Sequence, residues 1–524
     1  MAGRLHLVAF SAVALILTFL GGCKSGAAAG DEVSPAGADD WWQDGGGTMA
    51  TFQTTDGSWR QTDEPFFPPE EAYPRFTLPA GQEEYADLDA SRIKRDIVAL
   101  SGISLKSQQD GNQYWGRITG TDYDHLTTQW VAEQFERLGL QDVRTQDFDL
   151  PTQWYAASWN VSLSDGDTTV PLVSAYPWWG SRDLDEALTL EPVWVGLGTQ
   201  ADFIGRDVRG KAVFIYSVPT PGGLNHSARW STAVERARAE GAAAVFMILG
   251  IPGNVSAHPT GMAPPPWNDL TFSLGVEDGM AVRGMIEDGA SPKVEIRLDI
   301  EARDGLYTQN VWGELPGRTD ENILVMAHTD SFFQGALDNA SGVAMLLELA
   351  RHYASLPPDK RRRNMTFVTT PAHHAPLPDG GIYWIRDNME AYFDKTALIV
   401  NCEHIATSTT YSIGPNLVGS NAVAARRWYV QGSAELESVV GNAFRTFGVM
   451  TYSRPAAQSG GELAVLRGKA PGFHALADIL YHTELDIPEL VPEAGIEATV
   501  RAYAKIIDEV NRMELDRLHA EPAH

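Results

Sequence analysis

Residues 322–351 read NILVMAHTDSFFQGALDNASGVAMLLELAR. The first seven are almost all apolar, as expected of a parallel strand buried on both faces. The last eleven space their apolar residues as a helix does. The polar residues fall between, where a strand hands over to a helix. His328 and Asp330 are two apart and share one face of an extended chain. A metal-bound imidazole commonly gives its other ring N–H to a carboxylate, and Asp330 is placed to receive it. Asp338 follows in GALDNASG. By itself a His-x-Asp pair is equally a hydrogen-bonded core pair, so the stretch gains meaning only from what accompanies it.

The same design recurs downstream. NMTFVTTPA (364–372) reads as a strand and runs into His373 and His374 of PAHHAP. ALIVNCEHI (397–405) reads as another and ends in Glu403 and His404, while LYHTELDIP (480–488) supplies His482. Helices are expected between these strands and at GIEATVRAYAKIIDEVNRM (495–513). Strands alternating with helices predict an α/β fold, a doubly wound and mostly parallel sheet flanked by helices. Ligands bind such sheets beyond the C-terminal strand ends, where these histidines and carboxylates all fall. Mixed imidazole and carboxylate ligands suit zinc.

Upstream, residues 88–102 and 124–140 are patterned as helices. In the second, Leu126, Trp130, Val131, Phe135 and Leu138 form one apolar stripe, and Gly139 is a plausible stop. Residues 165–303 have another texture: VRGKAVFIY (208–216) is a short strand after a glycine turn, and STAVERARAEGAAAVFMIL (231–249) is a helix running into a strand. This predicts a smaller α/β module inserted between two parts of the larger domain, 86–164 and 304–515.

Of the 524 residues, 44% are hydrophobic and 21% charged, the composition of a core-forming chain. The formal net charge of −28 repels phosphate backbones and argues against nucleic acid as a partner. The start, MAGRLHLVAFSAVALILTFLGGC, has Arg4, then an apolar run, then small residues before Cys23. It predicts an export signal over 1–22. LGGC resembles a bacterial lipobox, which implies a lipid on Cys23, a membrane anchor without a spanning helix, and a Gly/Ala/Asp-rich tether over 23–85; the alternative is a plain signal peptide with a chance cysteine. With Cys23 lipidated, Cys402 has no disulfide partner, since the chain has two cysteines.

The 323–351 stretch resembles the zinc-binding core of the co-catalytic zinc aminopeptidases, a family that also contains glutamate carboxypeptidases and non-catalytic transferrin receptors. YHTELDIPE resembles its last ligand motif, GRITGT (116–121) its N-terminal signature, and VRGKAVF with AVERARAEGAAAVFMI the protease-associated domain often inserted in it. The resemblance implies that His328 binds one zinc, Asp338 bridges two, His482 binds the second and Asp330 orients His328. Glu403 stands where the family usually has a ligating Asp. The family usually carries two glutamates at 373–374, the first a general base and the second a ligand. The resemblance then makes His374 a ligand and His373 the base, with Glu462 and Asp379 next by sequence position. The expected activity is that of an exopeptidase, an aminopeptidase before a carboxypeptidase, on peptides or N-acyl amino acids. The His–His pair leaves a second expectation, a pseudopeptidase kept for binding.

Overall fold

The computed structural model describes residues 50–53, 59–62, 66–218, 232–258, 266–413 and 416–520. The signal, Cys23 and most of the tether lie outside the described residues. At the centre is a seven-stranded sheet. Its spatial order is Arg427–Gln431, Gly472–Leu476, Thr396–Asn401, Asn322–His328, Asn364–Thr370, Tyr307–Leu315, Gln141–Asp149. The second to fifth strands are mutually parallel and the remaining pairings are antiparallel, so a parallel core carries antiparallel edges. All seven residues of Asn322–His328 are buried, which is why the run lacks polar alternation.

Alternate residues of that strand face opposite layers. Ile323, Val325 and Ala327 pack into a core with helices Ala90–Gln109, Ser341–Ser355 and Glu493–Asn511, while Leu324 and Met326 pack against Gly381–Asn388 and Gly461–Val465. Helix Asp122–Arg137 buries Val131 and Phe135, but Leu126 is 38% exposed and leaves the expected stripe. The four parallel strands end along one edge of the sheet, and the loops beyond them carry Asp330 and Asp338, His373 and His374, Glu403 and His404, and His482.

Among the described residues, 153–303 make two sheets of their own, and none of these strands joins the central one. The first is five-stranded: Tyr176–Pro177, Thr271–Leu274, Ala244–Leu249, Ala212–Ser217, Pro192–Trp194. The second is antiparallel: Thr169–Pro171, Gln153–Ser164, Lys293–Arg303, Leu188–Leu190. Their shared core sets Val161, Leu163, Ile296 and Leu298 against Phe214, Phe246 and Phe272. The antiparallel sheet begins at Gln153, upstream of the texture change at 165, because Gln153–Ser164 pairs along its length with Lys293–Arg303. Among the described residues no helix is long and apolar enough to cross a membrane.

Candidate metal centre

Asp338 sits in an irregular turn entering helix Ser341–Ser355, with non-helical φ/ψ of −112° and 91°. Asp486 fixes this turn: its carboxylate accepts hydrogen bonds from the backbone N–H of Leu337 (2.6 Å) and Asp338 (3.1 Å). Burial pushes the Asp486 carboxyl up to about 7. Asn339 ties the turn to the neighbouring strand end. Its Nδ2 donates to Cys402 O (3.1 Å), and its Oδ1 accepts from Gly342 N (3.1 Å) and His404 N (3.3 Å).

Four imidazoles surround the Asp338 carboxylate. Oδ1 lies 3.1 Å from His328 Nε2 and 3.2 Å from His404 Nε2. Oδ2 lies 2.7 Å from His482 Nε2 and 3.4 Å from His374 Nε2. The ligand atoms of Asp338, His374 and His482 lie within 4.8 Å of one another, as do those of His328, His373 and His374. Asp330 stands behind two of the rings: its Oδ1 is 3.5 Å from His328 Nδ1 and its Oδ2 is 3.1 Å from His374 Nδ1. It also accepts backbone hydrogen bonds from His373 (3.0 Å) and His374 (2.8 Å), which sets the course of the loop.

These residues fit a bound cation. His328 Nε2, His404 Nε2 and Asp338 Oδ1 are buried without a hydrogen-bond partner although they stand close together. Buried polar atoms rarely go unpaired, and atoms that approach one another without hydrogen-bond geometry share an aim at a third point. His482 Nδ1 donates to His258 O (3.2 Å), which leaves its Nε2 lone pair 2.9 Å from His374 Nε2. Two tetrahedral ligands on bonds of about 2.0–2.1 Å stand roughly 3.3 Å apart, near the separations seen here.

The carboxylates draw positive charge to this place. Burial works against charge on every ring, yet the carboxylates override it at His328 and His374, pushed up to about 9, and at His404, carried well above its ordinary value. His482 instead falls to about 4 through burial. Burial would raise Asp330 and Asp338, but the imidazoles hold both well below the usual carboxylate range. Backbone strain gathers around the same place. Phe333, Ala372, His404, Leu480 and His482 all hold left-handed φ, between 46° and 60°. Such conformations persist only where the surroundings over-determine them.

Beside the centre is a pocket of about 230 Å³, lined among others by His373, His404, Glu403, Arg427, Asp478 and His482. His373 stacks on His328 with centroids 4.2 Å apart, and its Nδ1 lies 2.9 Å from Glu462 Oε1. Glu462 is itself buried and accepts from Thr370 Oγ1 (3.0 Å). Burial opposes protonation of His373, but Glu462 lifts it above its ordinary value.

His328, Asp330, Asp338, His373, His374 and His482 are thus brought together. Glu403 is adjacent but turned aside: its Oε2 accepts from Asn401 Nδ2 (3.0 Å) and Glu462 N (3.2 Å). Asp379 is exposed and does not line the pocket. In the sequence His404 belongs to the strand-end clusters that suit zinc but has no assigned task, and Asp478, Arg427 and Asp486 carry no signal of their own. The Glu–His pair closing a buried strand was the available signal for His404.

Residues 310–505 match the model of peptidase family M28. The chain is 28% identical over 281 residues to Aminopeptidase YwaD of Bacillus subtilis (strain 168). That match covers 51% of this chain and 54% of that protein, so the chain spans about half the length of the relative it matches. Among solved structures, BSAP, a zinc aminopeptidase from Bacillus subtilis, is similar at 20% identity and TM-score 0.57, over 84% of this chain and 98% of that one. The Peptidase M28 precursor from Shewanella amazonensis SB2B is similar at 19% identity and TM-score 0.65, over 82% and 96%. At these identities the structural likeness speaks for the fold.

Proposed function

We propose that the protein is a zinc-dependent exopeptidase, of the aminopeptidase kind, acting on peptides or N-acyl amino acids, a reading supported by the match of residues 310–505 to the model of peptidase family M28. The observation that carries this reading is the Asp338 carboxylate set among four imidazole Nε2 atoms at the wall of a pocket. Zinc held there would polarise the scissile carbonyl and make a water nucleophilic near neutral pH.

The chain's own residues do the rest. Glu462 Oε1 holds the proton of His373 on Nδ1, which leaves Nε2 as the basic atom of a ring that lines the pocket. His373 Nε2 takes the proton of the attacking water and returns it to the leaving amine. Asp330 orients His328 and His374 from behind. Glu403 lines the pocket as a buried carboxylate whose Oε2 is held by Asn401 and the backbone of Glu462, and its charge balances the imidazoles.

The test is hydrolysis of a panel of aminoacyl amides, dipeptides and N-acyl amino acids by purified protein, before and after chelation and zinc restoration. Turnover that is lost with chelator and regained with zinc supports the reading. The His373–His374 pair favours one second reading, a binding protein that has given up catalysis; zinc uptake without turnover on any member of the panel would select it. We further propose that the protein is exported and anchored through lipid on Cys23, supported by the LGGC ending of the signal-like start. Membrane association that survives Cys23→Ser in fractionated cells would count against the anchor.

A further inference from the structure

We propose that His404, not Glu403, completes the cation position of His328, so that one carboxylate joins two sets of imidazoles: His328, His404 and Asp338 Oδ1, and His374, His482 and Asp338 Oδ2. The inference rests on the zinc-centre reading above and deepens it.

One pattern carries it. Each imidazole whose Nε2 reaches Asp338 has a carboxylate or carbonyl oxygen within 3.5 Å of its Nδ1, as a hydrogen bond at His404 and His482 and as a close approach at His328 and His374. For His328 and His374 it is Asp330, and for His482 it is the carbonyl of His258. For His404 it is Asp478, whose Oδ1 is 3.4 Å from Nδ1. Asp478 is fixed in turn by Arg427, whose Nε donates to Oδ2 at 2.6 Å. An acceptor behind the ring fixes its tautomer and presents the lone pair on Nε2, which is how proteins prepare an imidazole for a metal. A histidine merely filling space needs no such backing. The left-handed φ of 46° at His404 turns its side chain toward Asp338, and Asn339 Oδ1 holds its backbone N–H.

Glu403 is committed elsewhere. Besides its two hydrogen bonds, it packs on Gly461, where a Cβ would overlap Glu403 Oε2. Its carboxylate is seated in a notch that a glycine keeps open, and its charge balances the imidazoles without contacting Asp338. A centre of four imidazoles around one carboxylate is a nitrogen-rich donor set. It should take Zn²⁺, Co²⁺ or Ni²⁺ and decline Mg²⁺ and Ca²⁺, which prefer oxygen.

Metal stoichiometry tests this without reference to turnover. The full chain, stripped by chelation, is titrated with Zn²⁺ by calorimetry, and metal content is measured after dialysis. We expect two Zn²⁺ per chain for wild type and for Glu403→Gln, and one for His404→Ala. His404→Gln, close in size, provides the same reading should the alanine variant fold poorly, and melting of the stripped proteins checks the fold. Loss of one Zn²⁺ from Glu403→Gln, or two retained by both His404 variants, would overturn the assignment. Wild type binding one Zn²⁺ would overturn the paired centre alone. Wild type binding none would overturn the zinc reading with it.

Discussion

At the residue scale, the adjacent His373 and His374 have different surroundings, because Asp330 and Glu462 approach them from different sides, and on the proposed function they take different tasks. His374 has a carboxylate behind Nδ1 and Asp338 before Nε2, while His373 has Glu462 behind Nδ1 and lines the pocket. His373→Ala is therefore expected to keep its zinc and lose roughly 10²–10⁴ in kcat, the usual worth of a general base. Glu462→Gln should cost less, about 10–100-fold, with KM little changed, since it removes only the group that orients the ring. Steady-state kinetics alongside metal analysis checks both; wild-type turnover in the two variants would remove His373 from the reaction. Farther from the centre, Asp124 provides a pH signature. It is fully buried, its Oδ2 accepts from Gly120 N (2.8 Å) and Thr308 Oγ1 (2.6 Å), and its Oδ1 has no partner. Burial pushes its carboxyl up to about 6. A raised acid binds its proton more tightly folded than unfolded, so its contribution to stability falls as pH rises from about 4 through 6. The melting temperature of Asp124→Asn relative to wild type should therefore climb across that window and level off above it. A flat difference would show that Asp124 titrates normally.

At the element scale, what could be read in the sequence and what could not divide along physical lines. His328 and Asp338 were legible because a wholly buried strand and an amphipathic helix bracket them, and a polar residue in that junction stands out. That His404 rather than Glu403 faces Asp338 was not legible, because a backbone turn decides which of two adjacent side chains does so, and apolar periodicity says nothing about such a turn. Arg117 was hidden for another reason: its role lies in carbonyls far away in sequence. Its guanidinium is fully buried and donates to Thr329 O, Leu100 O, Ser104 Oγ, Gln334 O and Gly335 O. It thus clamps the whole loop between His328 and Asp338. Arg117→Met should strand these acceptors and cost about 3 kcal/mol or more in urea unfolding. Arg117→Lys should recover little, because a point charge cannot span the fork. Stability unchanged in Arg117→Met would mean that the loop holds itself. Gly342 makes the other close approach. A Cβ there would overlap Cys402 O, where helix Ser341–Ser355 passes the strand end that carries Glu403 and His404. Gly342→Ala should destabilise by about 1–3 kcal/mol and weaken zinc binding with it.

At the scale of the whole molecule, the segment 153–303 reaches the centre through the loop of His482 and lines the pocket with His258. Its residue Ala257 forms an antiparallel bridge with Thr483 in the loop that carries His482. His258 N donates to His482 O (2.9 Å), and His482 Nδ1 donates back to His258 O (3.2 Å). Ser256 N donates to Glu484 Oε1 (3.0 Å), and Glu484 N to Ser256 O (3.1 Å). The His258 ring stacks on Phe332 with centroids 3.8 Å apart, and Phe332 lies in the loop between His328 and Asp338. The segment therefore holds His482 by its backbone and leans on the loop that joins His328 to Asp338. A surface that only screened the cleft would need none of these bonds. The consequence is that metal affinity should depend on a residue outside the ligand set. Glu484→Ala, which deletes the side-chain half of the contact and touches no ligand directly, should lower zinc affinity by about 10–100-fold, the range found when groups that orient ligands are removed. Competition with a chelator of known affinity reads this out, with melting of the zinc-free protein as the measure of general damage. If zinc affinity holds and KM alone rises, the module bears on substrate access and His482 keeps its place without it.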